Sequence, residues 1–528
     1  MTNSKSNDSF DYDYVIVGSG FGGSVSALRL SQKGYKVLVI EKGKWFNKPE
    51  DFPKTNWNLR KWMWMPKIGL QGFFKLSFFR HVAVLSGTGV GGGSLVYANT
   101  LPVPKSAFFK TGTWSKLADW ETELAPYYAI AKKMLGAERH PYMRKSDEVM
   151  QKLAKEIGKE NKFEKTDVAV YFGEPGKTVK DPYFEGKGPT RTGCIECGGC
   201  MLGCRYNAKN TLDKNYLYLA QQEGCEIKAE TLVYDVVPMN ENGGEGYTVH
   251  FKSSLSYFPK KGKVTTKGIV FSGGVLGTLS LLLKLQKTSL PNLSAMLGKG
   301  VRTNSESLIG VTTYDKKTSF SKGIAIGSII NLDENRHVEP VKYSEGSGFW
   351  RIFMAPMVSG KTFFSRLFKM IKDWVVHPID NLKTYFVNDW SKRTHILLYM
   401  ESIDSTIQMK RGKLGNLSTD MEQGPAPTAF NPIAQDLAKK TEKIVNGKAM
   451  VLSNETLFGI PTTAHILGGA CMGESDREGV IDKNNAVFNY KNMFICDGSM
   501  ISANIGVNPS LSITAISERA MEQIPEKQ

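Results

Sequence analysis

The 528-residue chain has no apolar run of about 18 residues, so none of it is long enough to cross a bilayer as a helix. Its start, Met1 to Asp11, is polar and lacks a basic head followed by an apolar stretch. It does not read as a secretory signal. Cysteine is scarce. Seven residues, an odd number and partly clustered, exclude the disulfide framework of a small secreted domain, and a cytoplasmic location is expected. Helix-turn-helix, zinc-finger and RNA-binding signatures are missing. Nucleic acid is therefore not an expected partner, although Lys and Arg (68) outnumber Asp and Glu (51). The formal charge of +17 leaves two readings, an anionic membrane surface or plain solubility. Internal repeats, low-complexity tracts and long linkers are also absent.

Glycine, by contrast, is abundant. Many of its 52 residues fall in short clusters, which point to tight turns and close ligand approach. The first cluster follows Tyr14-Val15-Ile16-Val17, an apolar run that reads as a buried parallel strand. Gly18-Ser19-Gly20-Phe21-Gly22-Gly23 contains G-x-G-x-x-G. Ser24 to Lys33 is helix-compatible, Gly34 stops it, and Tyr35 to Ile40 is a second strand ending at Glu41. This order suits a dinucleotide. Gly18 makes the turn, Gly20 admits the pyrophosphate, and Gly23 lets helix and strand pack closely. The helix start presents free N–H groups to the phosphates. Glu41, about 20 residues on, accepts from ribose hydroxyls.

Two further corners share this character. Gly87-Thr88-Gly89-Val90-Gly91-Gly92-Gly93-Ser94 lies between His81–Leu85 and Leu95–Tyr97, both strand-like. Near the C-terminus, Met493 to Cys496 reads as a strand and ends in Asp497-Gly498-Ser499. A turn through Asn508 and Pro509 leads to a helix over Leu511 to Met521. Strand, acidic-glycine turn and helix start make another anion- or ring-binding corner.

With Gly273-Gly274-Val275-Leu276-Gly277-Thr278 and His465-Ile466-Leu467-Gly468-Gly469 added, these segments resemble the glucose–methanol–choline (GMC) oxidoreductases, and within them the bacterial cholesterol-oxidase-like branch. The resemblance spans most of the chain and is weaker in the middle. It implies FAD rather than NAD, held by Gly18, Gly20, Phe21, Gly22, Gly23, Glu41, Gly87, Gly89, Gly92, Gly93, Ser94, Asp497, Gly498, Asn508 and Pro509, with Val233 near the adenine. It also implies His465 and Asn508 as the catalytic pair. That pair suits alcohol oxidation: an imidazole takes or organises the hydroxyl proton, and an amide holds the alcohol oxygen. The implied substrate is a hydrophobic alcohol such as a 3-hydroxysteroid. The glutamate with which sterol oxidases of this kind isomerise the double bond has no matching motif; Glu401 and Glu345 are the nearest in sequence order.

The expected fold is α/β. A discontinuous Rossmann-like FAD domain takes residues 11–49, 80–105, 190–315 and 458–528. Residues 50–79, 106–189 and 316–457 form an α+β substrate domain with an antiparallel sheet and lid segments. Cys194-x2-Cys197-x2-Cys200-x3-Cys204 has ferredoxin-type spacing. An iron–sulfur cluster, a structural zinc and unmetallated thiols all suit it. In two-cluster ferredoxins the fourth cysteine serves the other cluster, so Cys225 is a candidate last ligand. An iron–sulfur cluster beside the flavin would make the protein a dehydrogenase feeding an electron carrier rather than oxygen. Two aromatic and basic segments, Trp57–Phe79 and Phe363–Val375, read either as lids lying on a membrane surface or as packing elements.

Overall fold

A computed structural model describes residues 10–528 except 404 and 414. The polar start therefore lies, up to residue 9, outside the described residues. The first sheet grows from the dinucleotide unit. Strand Tyr12–Val17 pairs in parallel with Val37–Ile40 on one side and with Lys261–Phe271 on the other. Glu226–Lys228 extends the first edge, and Met493–Ile495 adds in parallel to Lys261–Phe271. Strands Thr231–Pro238 and Tyr247–Ser253 complete the seven-stranded sheet as an antiparallel meander. Val15, Ile16 and Val39 are fully buried, as central parallel strands covered on both faces require. Helices Phe21–Gln32 and Ser510–Glu522 pack together over this sheet. Arg29 and Glu518 join them through a two-point ion pair at 2.7 and 2.9 Å, and Tyr216 donates to the same carboxylate at 2.6 Å. The two ends of the chain thus meet in one core.

The second sheet has seven strands and only antiparallel pairs. Its order is Met354–Pro356, Gly447–Leu452, Ser307–Thr313, Thr394–Glu401, Arg336–Val341, Ser328–Asn331 and Phe163–Lys165. Ser307–Thr313 had been expected in the nucleotide portion. Its pairing on both sides moves the boundary to before residue 307. Strand alternation gives the sheet two apolar faces. Ile309, Val311, Leu397 and Tyr399 face helices Lys145–Glu156 and Pro432–Val445. Leu308, Ile396, Leu398 and Leu452 face the other way, toward the nucleotide domain.

The segment Leu95–Tyr97 is not a strand. Gly91 and Gly92 adopt positive φ (100° and 51°) and turn the chain into a short 3-10 segment, Gly92–Leu95.

Candidate active site

A cavity of about 620 Å³ lies where the two sheets meet. One end is made of glycine corners: Gly18, Gly20, Phe21 and Gly22, then Gly87, Gly92 and Gly93, then Gly273, Gly274 and Gly277. Glu41, Val233, Asp497, Gly498, Asn508 and Pro509 also stand on this wall. The other end is apolar and includes Leu308, Tyr343, Trp350, Met354, Trp390 and Leu398.

The glycines are there for different reasons. A Cβ on Gly18 would lie 2.3 Å from the Ser272 carbonyl, and one on Gly22 only 1.8 Å from that of Cys496. A Cβ on Gly23 would meet the Gly18 carbonyl at 2.1 Å. The chain's own packing therefore demands glycine at these three positions. At Gly20 the nearest atom would be 3.9 Å away, and at Gly274 and Gly277 nothing lies within 4 Å. Gly20 and Gly277 line the cavity with ordinary backbone angles, so a side chain there would take up cavity space. The first turn of Phe21–Gln32 has no side-chain cap and no acid, which leaves its N–H groups for an anion. Lys42 and Lys75 stand on the same wall. Burial pushes the Lys75 ammonium down to about 8, and Lys42 adds to the shift. Glycine surfaces, an open helix start and cations fit a dinucleotide diphosphate.

Three expected residues lie off this wall. Gly23 packs helix on strand. Gly89 sits under Phe46 and Leu95. Ser94 is spent internally, donating to the Gly91 carbonyl at 2.7 Å and accepting from the Leu212 N–H at 3.1 Å. Glu41 accepts from the Ser19 N–H and hydroxyl and from the Gly43 N–H. Asp497 accepts from Ser499 and Thr278. Burial raises the Asp497 carboxyl despite these donors.

His465 and Asn508 both stand on the cavity wall. Glu306, which sequence reasoning missed, organises the histidine. Its Oε1 lies 2.6 Å from His465 Nδ1 and accepts from the Thr463 hydroxyl at 2.8 Å. Its Oε2 accepts from the Ala464 N–H at 2.9 Å. Burial alone would raise this carboxyl. The neighbouring His465, Ala464 and Thr463 outweigh burial and hold it below the usual range. The 2.6 Å approach sets the Glu306 carboxylate against the Nδ1 edge of the His465 ring, although the ring N–H is not aligned on it as a hydrogen bond.

Asn508 is buried and its Oδ1 has no protein partner. The preceding backbone is fixed by Asn304, whose amide donates to the Val507 carbonyl at 2.8 Å. Beside Asn508 lies Glu339, which burial pushes up to about 8. His337, 3.8 Å from that carboxyl, is pushed down to about 3 by burial. A lone carboxylate inside the buried strand Arg336–Val341 was a readable signal for Glu339. Glu306 had none, because it acts through a histidine 159 positions away. The two glutamates considered in the sequence are elsewhere: Glu401 pairs with Arg336 and Asn431, and Glu345 with Lys392.

The cysteine run forms a separate loop. Cys194, Cys200 and Cys204 pack against Val168, Val170, Ala208 and Ile324, and all four thiols are free. Burial pushes Cys197 up to about 12 and raises Cys194 and Cys200. Among the described residues, no group of three or more His, Cys, Asp or Glu is placed to hold a metal ion. The iron–sulfur or zinc centre expected at Cys194, Cys197, Cys200 and Cys204 is therefore not supported by the ligand geometry. The sulfurs of Cys194 and Cys204 accept from the Glu196 and Ala208 N–H groups at 3.3 and 3.4 Å. Cys225 is buried in the nucleotide core. Much of Trp57–Phe79 packs inward, with Trp62 stacked on Phe74 at 4.7 Å.

Comparison with known proteins agrees with this geometry. The GMC oxidoreductase family profile matches residues 422–517, and an NAD(P)-binding Rossmann-like profile matches 16–45. The chain is 44% identical to a cholesterol oxidase of Acinetobacter baumannii, covering 98% of this chain and 95% of that one. It is 42% identical to a cholesterol oxidase of Mycobacterium tuberculosis, covering 98% and 92%. Among solved structures, pyridoxine 4-oxidase from Mesorbium loti superposes with a TM-score of 0.63 at 12% identity over 97% of this chain and 98% of that one, a likeness of fold. On its near full-length identity to these relatives and its profile match, the chain belongs to the GMC oxidoreductase family.

Proposed function

We propose that the protein binds FAD in the glycine-lined end of the cavity and oxidises the CH–OH group of a hydrophobic alcohol, a 3-hydroxysteroid such as cholesterol, held in the apolar end. One observation carries this reading: the two ends form a single cavity, and His465 and Asn508 stand on its wall. The names of the two cholesterol oxidases support the substrate class.

The residues have separate tasks. Gly20 and the open start of Phe21–Gln32 receive the diphosphate, and Val233 lies toward the adenine. FAD, when bound, supplies the hydride acceptor. Nε2 of His465 takes the hydroxyl proton, and Glu306 steadies the charge that this creates. The amide of Asn508 holds the alcohol oxygen. Leu308, Leu398 and Met354 keep water from the reacting carbon. Oxygen is the electron acceptor in this reading. The peroxide formed per alcohol oxidised checks that assignment.

Anaerobic addition of detergent-dispersed cholesterol tests the proposal. Bleaching of the flavin absorbance is the expected result. Retention of the oxidised spectrum with cholesterol, alongside bleaching by a short polar alcohol, would overturn the substrate assignment.

A further inference from the structure

Helix Phe363–Val376 is amphipathic, but inside out. A helix packed on a soluble protein turns its apolar stripe to the core. This one turns it to the solvent. Phe364, Phe368, Ile371 and Val375 follow one another at helical spacing and are 78%, 69%, 53% and 74% exposed. Its only buried residue is Arg366, which donates to the carbonyls of Gly360 and Leu457 and lies over the Phe430 ring. Asp373 also faces inward, pairing with Lys448 at 2.8 Å and accepting from Asn381.

The next helix, Pro378–Tyr385, continues the pattern. Asn381 and Thr384 are buried, while Ile379, Leu382 and Phe386 are exposed. The two helices are held together by Trp374 stacked on Tyr385 at 5.4 Å. Exposed Phe458 enlarges the patch by stacking on Phe363.

Isolated exposed apolar residues are ordinary, but a continuous patch of this extent marks an interaction surface. Its charge names the partner. Lys361, Lys369, Lys372 and Lys383 are exposed along the hairpin, while its acids Asp373 and Asp380 are half-buried. An apolar face bordered by lysines suits an anionic lipid surface. Among the described residues no helix is long and apolar enough to cross a membrane, so the contact is interfacial. The hairpin also springs from the cavity wall, between Met354 and Trp390. The Tyr385 hydroxyl is bonded to the Met354 carbonyl.

We infer that the 363–386 hairpin docks the protein on an anionic phospholipid bilayer and sets the apolar end of the cavity against the source of its water-insoluble substrate. The docking stands on the surface itself; only the substrate's route rests on the function proposed above.

The flavin-loaded enzyme and a Phe364→Ser/Phe368→Ser/Val375→Ser variant are sedimented with sterol-free vesicles, either phosphatidylcholine alone or mixed with phosphatidylglycerol. The wild type is expected to bind the anionic vesicles at least tenfold more tightly than the neutral ones, and less as salt rises. The variant should lose at least tenfold in binding, with unchanged turnover of detergent-dispersed alcohol. That turnover reports folding, and because the vesicles hold no sterol their binding is independent of substrate identity. Equal binding by the two proteins would overturn the inference. So would wild-type self-association that the variant abolishes without any vesicle binding, which would make this face a contact between copies of the chain.

Discussion

The two ends of the cavity are built in opposite ways. The nucleotide end comes from short contiguous stretches, each a strand, a glycine turn and a helix start: residues 12–41, 261–285 and 493–522. Every such corner is a local object, and its glycines are read one by one. The apolar end comes from single side chains on strands 307–313, 394–401 and 447–452, together with Met354, Trp350 and Trp390. No local pattern announces it, because its neighbours are brought together only by sheet pairing across about a hundred residues. Cofactor chemistry is thus legible in a chain of this kind before substrate chemistry is.

The comparison breaks most visibly at the glycines. Gly22→Ala forces a Cβ to within 1.8 Å of the Cys496 carbonyl. It should cost several kcal/mol, about what severe overpacking costs, and leave little folded protein by thermal denaturation. Gly20→Ala meets nothing closer than 3.9 Å at an ordinary φ of −73°. It should fold with a nearly unchanged Tm yet hold flavin at least tenfold more weakly by fluorescence titration. If both variants folded and bound flavin normally, the division between packing glycines and ligand glycines would be lost.

A smaller effect probes the junction of the two ends. Glu339 keeps its proton in the folded protein up to about 8, against an ordinary value of 4.5. Its contribution is complete below the ordinary value. It is lost as pH rises toward 8, because the unfolded chain ionises first. Glu339→Gln has no such loss. Its Tm should gain on the wild type between pH 5 and 8, by an amount on the order of a few kcal/mol in stability. A pH-independent difference between the two proteins would show that the carboxyl is not held neutral.

Elements that local rules decide are legible in the sequence. The strand–turn–helix of the nucleotide unit, the strand over Met493–Ile495 and the helix over Ser510–Glu522 all lie within a few residues of their expected places. Elements that a distant partner decides are not. Leu95–Tyr97 looked like a strand, but the left-handed backbone at Gly91 and Gly92 turns it. Ser307–Thr313 went to the wrong domain because only its partners Thr394–Glu401 and Gly447–Leu452 assign it. Cys194 to Cys204 has metal-like spacing, and among the described residues no group of three or more His, Cys, Asp or Glu is placed to hold a metal ion. Glu306 is anonymous until folding brings it to His465.

The central claim is that one cavity joins a flavin end to a sterol end at His465. Its most direct test is the absorbance of the flavin-loaded His465→Ala protein under anaerobic cholesterol. The account predicts full flavin content, and bleaching slowed by at least about a hundredfold relative to the wild type, the usual scale for losing an acid–base group. Bleaching at the wild-type rate with flavin fully bound would contradict it.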